Sequence, residues 1–177
     1  ESEILEARLI KHCAPRYNRA GKNAPRSCYV RLTTDALARL VITYVPPRSG
    51  PTLGPLRSRA VATEIVDAIH SVYPLRRCTS TSSPCIPAQL GVALCPCMGA
   101  VDRSLYARIV DSVKALFAGE VAECAASLEE RMRSLARTQR FEDAAAVRDR
   151  RDHLLSAVHR QHRIDVLRDS DTMSVNL

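Results

Sequence analysis

The amino-acid sequence predicts an α/β unit that gives way to a mostly α segment, the latter holding a cysteine-rich linker and an antiparallel helical hairpin. Three observations predict it. Two short runs rich in β-branched residues, 28–34 and 39–45, lie near the start. Apolar residues then recur at helical spacing through four later stretches, the last two separated by a short turn. Between the first and second of those stretches, Cys78, Cys85, Cys95 and Cys97 fall in a segment with neither periodicity.

Taken in order, residues 1–18 read as a helix running into a turn, with Leu5, Leu9 and Ile10 on one face and Pro15 ending it. Residues 19–27 form a basic loop. Residues 28–34 and 39–45 are strands, and the run from Pro46 to Pro51 is a breaker cluster. Residues 58–72 are a helix capped by Ser58, with Val61, Ile65, Ala68, Ile69 and Val72 as its apolar face. A Ser/Thr/Pro-rich stretch follows as far as Pro87. Asp102 caps the next helix, Leu105, Ile109, Val113 and Leu116 share one side of it, and Gly119 ends it. Residues 121–138 and 142–160 pair as a hairpin turning near Arg140-Phe141, with Phe141 stapling the turn. The chain from about residue 165 is polar and reads as a frayed tail.

Composition narrows the function class. With 46% hydrophobic and 25% charged residues, the chain is globular rather than disordered. The net charge of +7, carried mostly by Arg, favours a polyanionic partner, because each neutralised phosphate releases condensed counterions. No apolar run approaches the roughly 20 residues needed to cross a bilayer, so no membrane partner is expected. No signal peptide is visible, and seven cysteines are an odd number, which argues against a disulfide framework and for the cytoplasm.

Three constellations carry chemistry. Glu6 sits one helical turn before Ile10-Lys11, with Asn18 just past Pro15. A carboxylate beside a basic surface can hold Mg or Mn against a phosphate; the bland alternative is a solvated helix residue. Lys11, Arg16, Arg19, Lys22 and Arg26 supply that surface and are the candidate DNA contacts. Cys78, Cys85, Cys95 and Cys97 can close a tetrathiolate site for zinc or an iron–sulfur cluster, although their intervals match neither the usual zinc-ribbon nor the ferredoxin spacing. Buried thiols in a linker are the alternative. The hairpin turn, with Phe141, Glu142, Ala145 and Arg148, offers a small surface for a partner, or is an ordinary self-contained hairpin.

In this order, the pieces resemble the UvrC and Cho-like excision-repair endonuclease family, including its exonuclease-fused branch. The residues that carry the resemblance are Leu5-Glu6, Leu9-Ile10-Lys11, Pro15-Arg16-Tyr17-Asn18, Leu53-Gly54-Pro55, Tyr73-Pro74-Leu75-Arg76-Arg77-Cys78, Ser83-Pro84-Cys85 and the stretch from Phe141 to Asp149. The resemblance implies that residues 1–57 are the C-terminal half of a GIY-YIG nuclease domain and 58–75 a connecting helix. It implies a cysteine-rich region at 76–99, a helix at 100–120, a UVR-like hairpin at 121–158 and a tail at 159–177. Glu6 matches the family's metal-binding catalytic glutamate and Asn18 its active-site asparagine. The implied reaction is a metal-dependent incision of damaged double-stranded DNA on the 3′ side of a lesion. The cysteines would hold an iron–sulfur cluster, and a UvrB-like protein would dock on the hairpin through Phe141, Ala145 and Arg148.

The sequence departs from the family pattern in places. The two tyrosine strands and the catalytic arginine helix belong upstream of Glu1, so the chain alone is expected to be inactive. The family's third cysteine falls at Ala93, with Cys95 two positions late. No second nuclease domain or helix-hairpin-helix follows the hairpin. A non-catalytic adaptor for DNA and UvrB, a structural zinc module and an inactive gene remnant stay open as alternatives.

Overall fold

The structure is a computed structural model that describes residues 27–46, 49–79 and 83–173. Its first strand, β1 (Cys28–Leu32), buries Cys28, Val30 and Leu32 on one face, as period-two alternation requires. β2 (Leu40–Thr43) runs antiparallel to it, with Leu32 opposite Leu40 and Tyr29 opposite Thr43. The turn between them is closed by the Thr33 N–H donating to the Arg39 carbonyl and the Arg39 N–H donating to Thr33 Oγ1, both at 2.9 Å.

A third strand, β3 (Thr52–Leu56), pairs antiparallel with the other side of β1, giving the order β2-β1-β3. The sequence assigns no element here, because Gly54 and Pro55 both lower strand propensity. An edge position tolerates Pro, and a bulge between Cys28 and Val30 brings Gly54 hard against β1. Gly54 has φ +143°, and a Cβ on it would stand 2.7 Å from Tyr29 Cδ1 and 3.0 Å from the Cys28 carbonyl oxygen. Only glycine fits that approach.

Helix α1 (Arg59–Val72) starts where expected: Ser58 Oγ accepts the Val61 N–H at 3.2 Å. Its Ala62, Ile65, Ala68 and Ile69 are buried and join the inward residues of all three strands in one core. After α1 come a four-residue helix, α2 (Ile86–Gln89), and a single 3-10 turn at Pro96–Met98.

Helix α3 (Arg103–Ala118) is capped by Asp102, whose carboxylate accepts the Ser104 N–H at 2.8 Å and the Leu105 N–H at 3.1 Å. Its inward face is turned from the expected one. Val113 and Leu116 are buried, but Leu105 is 39% exposed and Tyr106 is fully buried instead. The Tyr106 hydroxyl explains the rotation: it donates to the Ala38 carbonyl at 2.6 Å and accepts the Arg76 N–H at 2.8 Å.

α4 (Ala122–Arg137) and α5 (Phe141–Met173) form the expected hairpin. Leu128 of α4 and Leu154 and Val158 of α5 are buried in the same core as the sheet, and Arg151 Nη1 meets Glu129 Oε2 at 2.6 Å across the pair. The helical backbone continues past 165 rather than fraying. Nothing between Phe141 and Met173 breaks a helix, since the stretch holds neither Gly nor Pro. α5 also packs on α1, β3 and α3. Among the described residues, no helix is long and apolar enough to cross a membrane.

Candidate metal centre

Residues 78–99 contain no Asp, Glu, Lys, Arg or His. The segment is held at its neck by main-chain bonding: the Leu94 N–H donates to the Pro74 carbonyl at 2.8 Å, beside the fully buried Leu75. Inside it, two cysteines stand directly before short helical turns. Cys85 precedes α2 and Cys95 precedes the 3-10 turn, and Pro87 is the second residue of the one and Pro96 the first of the other. A prolyl φ is preset for a helical start, so each turn begins where its cysteine needs it.

The outcome is convergence. The sulfurs of Cys78, Cys85, Cys95 and Cys97 all lie within 4.8 Å of one another. Cys97 Sγ is 3.6 Å from Cys85 Sγ and 3.8 Å from Cys78 Sγ. These distances are far beyond a disulfide bond of about 2.05 Å, and all six cysteines among the described residues are free. Ala88 and Ala93 pack beside them as a small apolar shell separate from the main core. The departure at Ala93 therefore does not remove a fourth thiol: Ala93 is buried wall, and the loop turns Cys95 into the site.

The electrostatics differ among the four. Burial pushes the Cys78 thiol up to about 12, and the neighbouring Cys97 and Cys95 thiols add to it. Burial also raises Cys85. Cys97 is held below its ordinary value, first by the Cys85 N–H, which donates to its sulfur at 3.4 Å. An amide aimed at a sulfur stabilises the thiolate, which is the metal-binding form. Four converging thiols are soft ligands suited to zinc or iron.

A second feature lies at the hairpin turn. Phe141, Ala145 and Arg148 line one shallow groove of about 290 Å³ together with Met132, Ala136 and Ala144. Phe141 does not staple the turn as expected; it is 65% exposed. The turn needs no staple, because the Arg140 N–H donates to the Leu135 carbonyl and the Gln139 N–H to the Ala136 carbonyl, each at 3.0 Å. The contribution of Met132 and Ala136 was readable only as a four-residue spacing on α4. Glu6, Lys11, Asn18, Arg16, Arg19, Lys22 and Arg26 lie outside the described residues.

Comparison with known proteins places this arrangement in a family. Residues 27–116 match the family model described as UvrC/Cho excinuclease, middle domain. That match takes in the three strands, α1, the cysteine segment and most of α3. The chain is 35% identical over 152 residues to the UvrABC system protein C of Natronomonas pharaonis, covering 83% of this chain and 26% of the relative. It is 30% identical over 163 residues to that of Methanothermobacter thermautotrophicus, covering 92% and 28%. Against the Moorella thermoacetica protein of the same name, identity is 35% over 156 residues, covering 84% and 25%. The chain thus spans about a quarter of the length of these curated relatives. No solved structure matches it. Sequence match and ordered motifs agree, and the chain belongs to the UvrC/Cho excinuclease family.

Proposed function

We propose that this chain is part of a cytoplasmic excision-repair endonuclease that cuts damaged double-stranded DNA. The family membership over residues 27–116 is the observation that carries this reading. The net charge of +7 supports it, since a phosphodiester backbone is the natural partner of such a surface. In this reading, Glu6 binds Mg or Mn and Asn18 completes the metal-dependent 3′-side incision. Lys11, Arg16, Arg19, Lys22 and Arg26 contact DNA phosphates. The chain spans about a quarter of the length of its curated relatives, so this reading expects residues 1–177 alone not to cut. A strand-nicking assay on a lesion-bearing duplex with Mg²⁺ or Mn²⁺ tests this. The chain alone should not nick. Joined to the rest of a GIY-YIG nuclease domain, it should nick, and Glu6→Ala should remove that activity. Nicking that survives Glu6→Ala would overturn the assignment.

A second reading, a non-catalytic adaptor, is favoured by the groove at the hairpin turn. An exposed aromatic beside Arg148, backed by Met132, has the composition of a binding hot spot. We propose that a UvrB-like protein docks there. Phe141→Ala should weaken that association at least tenfold while leaving thermal stability unchanged, because Phe141 contributes nothing to the core. Unchanged binding would remove the groove from the interface.

A further inference from the structure

The spacing of the four sulfurs points to a smaller occupant than the family resemblance implies. We propose that Cys78, Cys85, Cys95 and Cys97 bind one tetrahedral zinc ion, not a four-iron cluster.

The argument is one of size. Four thiolates at about 2.3 Å from a single tetrahedral ion stand about 3.8 Å from each other. The observed separations of 3.6 and 3.8 Å sit at that value, and no pair exceeds 4.8 Å. A four-iron cluster takes one cysteine on each iron, so its irons and bridging sulfides stand between every pair of thiolates and hold them roughly 6 Å apart. Fitting that cluster would require the sulfurs to retreat on all sides. Cys95 and Cys97 have little room to do so: they are 3% and 9% exposed, only one residue apart, and pinned around Pro96. Ala88 and Ala93 are buried against them, closing the space that a cluster would fill.

The segment also needs such an ion. Among the described residues, its own core is six small side chains, and its regular structure is one helical turn and one 3-10 turn. An apolar shell of that size cannot order some twenty residues against their conformational entropy. Structural zinc supplies the missing free energy in small modules of this kind. With no charged residue between 78 and 99, the thiolates are the module's own anionic ligands, and no carboxylate or histidine of the segment competes.

The inference does not depend on the incision reading, and its test does not involve DNA. The chain is expressed in medium containing both iron and zinc, purified without oxygen, and assayed for metal, acid-labile sulfide and visible absorption. One zinc per chain, no sulfide and no visible chromophore is the expected result. Exchange with cobalt should give the intense visible bands of a tetrahedral tetrathiolate ion. Cys97→His, which keeps four ligands, should retain the metal and shift those bands; Cys95→Ala should reduce zinc content at least tenfold. Iron with an equal amount of sulfide, one iron without sulfide, or a chain with no stoichiometric metal would each overturn the proposal.

Discussion

Tyr106 shows how one hydroxyl can set the orientation of a helix. It is fully buried and joins three parts of the chain: its own helix, the approach to β2 at Ala38, and the neck of the cysteine segment at Arg76. Tyr106→Phe keeps the ring but leaves a buried carbonyl and an amide without their partner. It should cost about 1–3 kcal/mol, measured as a fall in the urea midpoint with an unchanged slope. His70 acts through titration instead. Burial, with the Arg77 charge adding to it, lowers its value from 6.5 to about 4, and its Nε2 has no hydrogen-bond partner. Between those values the unfolded chain binds a proton that the folded chain refuses. Its stabilising effect is therefore complete above pH 6.5, falls as the pH drops, and levels off below about 4. Between pH 7.5 and 5 the loss should be on the order of 2 kcal/mol. His70→Gln should lose correspondingly less over that interval in parallel urea titrations.

The helix ends repeat one solution with two residues. After α3, Gly119 adopts φ +113°, with its own N–H donating to Leu116 and the Glu120 N–H to Ala115. After α4, the same pair of bonds forms around Gln139, at φ +59°. Glutamine pays a steric penalty there that glycine avoids. Gln139→Gly should stabilise the protein by about 0.5–1 kcal/mol, seen as a rise in Tm. Most elements were legible because their signals are local: Ser58 and Asp102 cap their helices, and Gly119 ends one. β3 was not, since its existence depends on Gly54 meeting a bulge in β1 rather than on its own composition. The four-thiol convergence was legible only as residue types. Its closure relies on Pro96 turning Cys95 and Cys97 toward a common point, which spacing does not reveal.

At the scale of the molecule, the hairpin is part of the same core as the sheet. Leu154 is buried among residues of that core, and α5 packs on α1, β3, α3 and α4. Leu154→Ala should cost about 2–5 kcal/mol. Far-ultraviolet dichroism and tyrosine absorbance should report one shared transition moved to lower denaturant. Two separate transitions would show that the hairpin unfolds by itself. The apolar stripe of α5 was visible in the sequence, but a stripe does not say how many neighbours it covers, and this one covers more than α4. The shared core also orders events during synthesis. The last strand ends at Leu56, far ahead of Leu154 in the chain, and contacts so distant in sequence form late. Until α5 emerges, α1, β3, α3 and α4 wait with part of their covering surface missing, so the nascent chain has an aggregation-prone interval that ends only when α5 docks.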